Sequence, residues 1–278
     1  MKVVAIGDNC LDWYLDRDQV HPGGNALNVS VYCRQLGADS AYIGQFGTDW
    51  AGDIMLGALT AEGVDITRTR RVEGTSGYAT VENVDGERVF RGSSKGVVAF
   101  EPDAADFTFM AGADVIHTGD SSFMEGSVAK FAGIAPLSYD FSTKSDAYCE
   151  PILPAVTYAT FSRPDLSQAE VKDLIEWAHG LGAKEVYVTQ GVAGSYSSSG
   201  SKIHYQPASS VAAVVDTLGA GDSFIAGILI ARLGGSSLHE AAASASAWAA
   251  ASCASVGAFG HGESAAGMTV SHDHQFAS

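Results

Sequence analysis

Basic residues are scarce in this chain. Sixteen Lys and Arg stand against 32 Asp and Glu, a formal net charge of −16. Nucleic-acid binders present a basic face, so this balance excludes that class of partner. A small anionic ligand needs only a local positive site and is not excluded. Long apolar runs are also missing, and no membrane span is expected because none approaches about 18 uninterrupted apolar residues. The opening MKVVAIGDNC has one basic residue and a short apolar run, without the longer apolar core of a signal peptide. It reads as a first buried strand. The four cysteines, Cys10, Cys33, Cys149 and Cys253, are scattered and form no C-x-x-C. In a chain of 278 residues they read as free thiols of a reducing, cytoplasmic compartment. The P-loop pattern G-x-x-x-x-G-K-[ST] is absent as well, so a nucleotide would need a different phosphate cradle.

What the chain does have is apolar bulk and glycine: 46% hydrophobic residues and 32 glycines. That suffices for one large α/β domain or two small ones, with close helix–sheet packing. Val3 to Ile6 reads as a central strand ending in a loop that holds Asp8, Asn9 and Asp12. Open α/β sheets bind ligands where strands end in this way. His21-Pro22-Gly23-Gly24-Asn25 precedes a helix over 26–36 that Asn25 can cap. A strand over 41–46 and a helix over 53–61 follow.

Between about 68 and 98 the helical periodicity stops. Strands over 76–83 and 87–92 flank Asp85-Gly86, a hairpin signal. This reads as a β flap inserted into a βα chain, to which residues 11–20 add a strand. The βα rhythm then returns, with strands at 115–117, 137–141, 156–159 and 186–189 and helices at 123–134 and 167–181. Such alternation implies a mostly parallel sheet covered on both faces. A second hairpin spans 196–205. Two alanine-rich helices follow, at 223–233 and 238–253. From about Gly262 the chain reads as a polar, frayed tail. His272 and His274 in that tail are a metal-binding pair or simply polar tail residues.

The most informative stretch is Asp216-Thr217-Leu218-Gly219-Ala220-Gly221-Asp222-Ser223-Phe224. Gly219, Ala220 and Gly221 allow a tight bend and close backbone approach. A helix starting there turns its first N–H groups and the positive end of its dipole toward an anion. A bound phosphate would repel a carboxylate at that point. Asp222 therefore reads as a base beside an anion hole, the alternative being a helix cap.

Asp216 to Asp222 resembles the D-T-x-G-A-G-D signature of the ribokinase-like (PfkB-type) carbohydrate kinases. The early G-G-N motif of that family is matched by Gly23-Gly24-Asn25 and continues through Ala26-Leu27-Asn28-Val29. The resemblance covers essentially residues 1–260. Gly7 to Asp12, Gly23 to Cys33, Gly63 to Ile66, Arg88 to Phe90, Asp140 to Ser142 and Asp216 to Gly227 look most like the branch acting on fructosamines such as fructoselysine, at the 6-hydroxyl.

The resemblance implies a three-layer α/β/α domain over 1–262 with a β lid from 11–20 and 68–96. A polar tail over 263–278 would follow, with a homodimer contact through the lid. It implies transfer of the γ-phosphoryl group of ATP to a sugar hydroxyl. Asp222 matches the catalytic base, and Gly219, Ala220 and Gly221 match the anion hole. Asp8, Asp12, Gly23, Gly24, Asn25 and Asn28 match the sugar-binding region, with Arg88 on the lid and Asp140 at a strand end as further candidates. Thr189, Gly191, Gly194, Thr217, Gly219, Gly221 and Gly257 match nucleotide contacts. The N-x-x-E motif that helps place magnesium is altered to Ser162-Arg163-Pro164-Asp165, leaving Asp165 as the candidate metal residue. Mg2+ is expected with ATP because a triphosphate needs charge neutralisation. The family also admits a monovalent cation such as K+ near Asp216 and Thr217. The alternatives are a same-fold kinase for ribose, fructose, a ketodeoxy sugar or a nucleoside, and an inactive sugar-binding protein. The intact Gly-Ala-Gly and Asp222 argue against the inactive form.

Overall fold

In the computed structural model of the chain, residues 1–84, 87–200, 202–211, 213–268 and 275–276 are described. Asp85-Gly86, His272 and His274 lie outside them, as does the side chain of Arg88. The chain opens with β1 (Lys2–Ile6), crosses into a hairpin of β2 (Cys10–Tyr14) and β3 (Gln19–Gly23), and returns through α1 (Asn25–Gln35) to β4 (Asp39–Ile43). Next come β5 (Gln45–Gly47), α2 (Trp50–Ala61), β6 (Arg70–Val72) and the long pair β7 (Tyr78–Val84) and β8 (Glu87–Ser94). Helices and strands then alternate: α3 (Ala104–Met110), β9 (Val115–Gly119), α4 (Val128–Ala132), β10 (Leu137–Asp140), α5 (Asp146–Cys149) and β11 (Tyr158–Ser162). After α6 (Gln168–Leu181) and β12 (Glu185–Thr189), a hairpin of β13 (Ser195–Ser198) and β14 (Ile203–Gln206) leads into α7 (Ala220–Leu233) and α8 (Leu238–Ser252). The last strands are β15 (Glu263–Ser264) and β16 (Gln275–Phe276).

The main sheet has the order β14-β13-β12-β11-β10-β9-β1-β4. It is parallel from β12 to β4, and antiparallel only at the β12–β13–β14 end. Strand β1, paired on both sides by β4 and β9, is apolar from Val3 to Ile6, as a strand covered on both faces must be. Val3 packs with α1 and α7, around Val29, Tyr32 and Ile225. Val4 and Ile6 face the opposite core, with Phe131, Tyr139 and Phe161. The three-layer α/β/α architecture is as expected.

The second sheet is the lid, ordered β15-β3-β2-β7-β8-β16. Three expectations need correction here. Asp12 lies on lid strand β2 rather than in the loop after β1, because pairing with β3 begins at Cys10. The strand expected at 41–46 is broken at Gly44, and β5 leaves to pair with β6 in a separate two-stranded sheet. The chain beyond Gly262 is not simply frayed. β15 pairs with β3, Ala265 is buried, and β16 pairs with β8.

An ion cluster fastens the segment after the lid. Asp106, fully buried at the start of α3, accepts from Arg68 Nε at 2.9 Å, from Arg70, and from the Asp103 backbone N–H at 2.9 Å. Removing a buried acceptor strands its donors. Asp106→Ala should therefore cost about 2–3 kcal/mol, read from the urea midpoint, with the m-value unchanged.

Candidate active site

The site is assembled at the N-termini of two helices. Gly24, not Asn25, is the N-cap residue of α1; its φ of 108° suits glycine, and an added Cβ would lie 2.6 Å from the Asn9 Cα. The cap itself comes from 17 residues upstream. Asp8 Oδ2 accepts from the Asn25 N–H at 2.7 Å and Asp8 Oδ1 from the Ala26 N–H at 3.1 Å. The Ser122 hydroxyl donates to Asp8 Oδ1 at 2.8 Å. Both oxygens of Asp8 thus serve the helix, a favourable place for a carboxylate. Relieved of capping, the Asn25 side chain points into the cleft.

The second N-terminus is that of α7, which starts three residues earlier than the apolar run suggests. Gly219 is its N-cap in the left-handed conformation (φ 74°, ψ 0°), and an added Cβ would lie 2.7 Å from Ala258 Cβ. The helical ladder begins with the Ser223 N–H donating to the Gly219 carbonyl at 2.8 Å. The Ala220 N–H turns to the Thr217 carbonyl at 3.3 Å. Asp216 holds this turn from behind. Its Oδ1 accepts from the Leu218 N–H at 3.0 Å, and its Oδ2 accepts from the Gly257 N–H at 3.0 Å and from the Tyr14 hydroxyl of lid strand β2.

The two termini meet at Asp222, in the first turn of α7. Asn25 Nδ2 donates to Asp222 Oδ1 at 2.7 Å, and Asn28 Nδ2 donates to Asp222 Oδ2 at 2.7 Å. Asn25 Nδ2 also donates to Asp140 Oδ2, at 3.0 Å, where β10 ends. Asp12 is buried close by on β2. An added Cβ at Gly23 would lie 2.1 Å from Asp12 Oδ2, so the bare glycine makes room for that carboxylate. Beside Asp222 opens a cavity of about 340 Å³ lined by Ser162, Thr189, Gly191, Gly194, Thr217, Ala220, Gly221 and Cys253, among others. A larger open groove of about 940 Å³, between α6 and β13–β14, contains none of these residues. An oriented carboxylate between a polar cleft and a glycine-lined helix N-terminus can accept a proton from a hydroxyl beside a bound anion.

Comparison with known proteins agrees with this chemistry. The pfkB family carbohydrate kinases match residues 2–261 of the chain. The chain belongs to that family. The kinase is 42% identical to the fructosamine kinase FrlD of Bacillus subtilis, covering 94% of both chains. It is 34% identical to the fructoselysine 6-kinase of Escherichia coli, covering 90% of this chain and 97% of that one. Its fold matches that of Arabidopsis thaliana ribokinase, solved with ribose and ATP, with a TM-score of 0.80 at 21% identity. That match covers 93% of this chain and 94% of the ribokinase chain. The protein is accordingly a sugar kinase, a phosphotransferase with an alcohol group as acceptor.

The residues singled out in the kinase's sequence fall into three groups. Asp12, Gly23, Gly24, Asn25, Asn28, Asp140 and Asp222 are brought together at the cleft. Thr189, Gly191, Gly194, Thr217, Ala220 and Gly221 line the cavity. Asp8, Gly219 and Gly257 stand behind these groups as supports. Asp165 is exposed and outside the cavity lining. Sequence reasoning did not single out Ser246, Ala249, Ala250 and Cys253 as site residues, yet they line the cavity from α8 and its end. Small residues there leave room for a flat ring, but a run of alanines reads equally as helix packing.

Asp140 carries a large carboxyl shift. Burial, and then the charge of Asp222, push it up to about 8. An acid held above its ordinary value of about 4 favours folding only while protonated, so that contribution is lost as pH climbs toward 8. Asp140→Asn should therefore raise the melting temperature of the ligand-free kinase, with the gain larger at pH 9 than at pH 5. A gain equal at both pH values would contradict the raised carboxyl.

Proposed function

We propose that the kinase transfers the γ-phosphoryl group of ATP to the 6-hydroxyl of a fructosamine such as fructoselysine. The observation that carries the reaction is Asp222, oriented by the Asn25 and Asn28 amides at the N-terminus of α7, beside the glycine-lined cavity. The substrate reading is supported by the fructosamine and fructoselysine kinases that share 42% and 34% of its residues. Asp222 takes the proton of the attacking hydroxyl, the hydroxyl oxygen bonds to the γ-phosphorus, and the bond to the β–γ bridging oxygen breaks to release ADP. The first-turn N–H groups of α7 face the charge on the moving phosphoryl, where positioned donors matter most.

Asp12, Asn28 and the Gly23-Gly24-Asn25 corner grip the sugar hydroxyls. The Oδ1 of Asn28 is buried without a hydrogen-bond partner and suits a hydroxyl donor. Arg88 belongs to the same reading as a lid residue reaching the substrate. Asp8 acts indirectly, through the helix it caps.

Mg2+ accompanies the nucleotide and neutralises its phosphates. Among the described residues no group of three or more His, Cys, Asp or Glu is arranged to hold a metal. The fit is therefore to an ion held by phosphate oxygens, with Ser162 and Thr217 as neutral neighbours in the cavity. A K+ ion at Asp216 and Thr217 would compete with three donors already on that carboxylate. A cytoplasmic location fits four cysteines that all carry free thiols. Pairing of two copies through the lid completes the reading. A nucleoside acceptor gains nothing from the lid aromatics, since Trp13 and Tyr78 pack edge-on against each other at 6.3 Å.

Two measurements test this. Asp222→Asn should lower kcat by about 1,000-fold or more while sugar binding, measured by calorimetry, is largely kept. Near-normal turnover would remove Asp222 as the base. Across a panel of fructosamines, hexoses, pentoses and nucleosides, fructoselysine should give the highest kcat/KM. A higher value for a simple hexose or a nucleoside would overturn the substrate.

A further inference from the structure

The base-bearing cleft depends on a side chain that sequence reasoning did not single out. Asn25 uses one amide nitrogen for two carboxyl oxygens, 2.7 Å to Asp222 and 3.0 Å to Asp140. A carboxamide has two N–H donors on nitrogen and only lone pairs on oxygen. Turned over, Asn25 would present its carbonyl to the Asp222 carboxylate and leave that oxygen without this donor. Nothing in the Asn25 backbone forbids that rotation. The face is selected from two sides, by the Asp222 carboxylate at Nδ2 and by the group that meets Asn25 Oδ1.

That group is His117. It lies on β9, between β1 and β10 in the main sheet, and is fully buried. Its Nε2 is 3.0 Å from Asn25 Oδ1, and its Nδ1 is 2.9 Å from the hydroxyl of Ser138 on the neighbouring strand β10. Gly119, two residues on, keeps this route open: an added Cβ there would lie 2.5 Å from Asn25 Oδ1. Burial depresses the imidazole to about 3, so the ring is neutral and carries one proton. Asn25 Oδ1 can only accept, which assigns that proton to Nε2. Nδ1 then accepts from the Ser138 hydroxyl, which can donate. The hydrogen bonds thus run in one direction, from Ser138 through His117 and Asn25 to Asp222 and Asp140.

We infer that His117 is a positioning residue for phosphoryl transfer: as the Nε2–H tautomer it fixes the Asn25 amide with its nitrogen toward Asp222 and Asp140. The inference rests on the reading of Asp222 as the base, since it assigns His117 the task of aiming that base. His117 touches neither substrate nor nucleotide in this role. It acts only through Asn25, and its loss should appear in turnover rather than in nucleotide binding.

Two measurements decide it. In the unaltered, ligand-free protein, imidazole 15N shifts of His117 should report a protonated Nε2 and an unprotonated Nδ1, and Asn25→Ala should move the Nε2 signal. The Nδ1–H tautomer, or an Nε2 signal indifferent to Asn25→Ala, would overturn the inference. This arm needs no activity, so it stands apart from any failure of the proposed function. In kinetics, His117→Leu should lower kcat about 10- to 100-fold with the KM for ATP nearly unchanged. His117→Gln, whose amide nitrogen can replace Nε2–H, should recover most of that loss. The double variant Asn25→Ala/His117→Leu should be no slower than Asn25→Ala alone. Losses that multiply in the double variant, or a Gln variant as slow as the Leu variant, would refute action through Asn25. If the Leu variant does not fold, the Gln variant and the 15N shifts still decide.

Discussion

Everything at the cleft depends on one carboxylate held by two carboxamides. Asp222 sits where a helix dipole and a glycine turn favour negative charge, close to where a phosphoryl group would lie. A cation would hold such a group more strongly, but a full positive charge would also weaken its pull on a proton. Neutral amides from Asn25 and Asn28 orient it without that cost. Hydrogen bonds to a charged group are worth about 1.5–3 kcal/mol each, enough to fix a rotamer. Because both amides lie on the first turn of α1, the angle between α1 and α7 sets the orientation of Asp222 and, on the proposed reading of it as the base, bears on catalysis. Asp8, Gly24 and Gly219 matter for that reason.

Asp216 ties this arrangement to the lid. Its carboxylate takes donors from the anion-hole turn, from the Gly257 segment and from Tyr14 on β2. The same lid strand carries Asp12, two residues earlier. On the proposed reading, a sugar at Asp12 and a phosphate at the α7 turn would act on the middle and the end of one short strand. The route between the ligands is through covalent backbone and a single carboxylate.

Much of the fold was legible because local chemistry and tertiary role coincide. The apolar run of β1, the hairpin around 76–94 and the Ser-x-x-Glu starts of α6 and α8 carry their own signals. Those two starts form reciprocal capping boxes, Ser167 with Glu170 and Ser237 with Glu240. The gathering of Asp222, Asn28 and Asp12 at one cleft was legible because their motifs recur at fixed places in a known family. The failures share a cause, which is partners distant in sequence. Asn25 seemed a cap because the true cap, Asp8, is donated from another loop. The start of α7 was placed late because the glycines on either side of Ala220 are weak helix formers, and tertiary contact at Gly219 decides the matter. His117 reads as one polar residue in a buried strand. Only the sheet register, which puts Ser138 beside it, and the cleft, which puts Asn25 above it, disclose its role.

The C-terminal strands have a consequence for assembly. β15 lies against β3 and β16 against β8, so both margins of the lid sheet are occupied by the chain's own end. Exposed strand margins invite pairing with other chains, and covering them is a common protection. A lid closed off in this way cannot readily grow into a continuous intermolecular sheet. Two copies meeting here would instead stack face on face, through side chains rather than backbone hydrogen bonds. Clipping the last residues would do more than shorten the molecule: it would expose adhesive backbone along the margin of the lid.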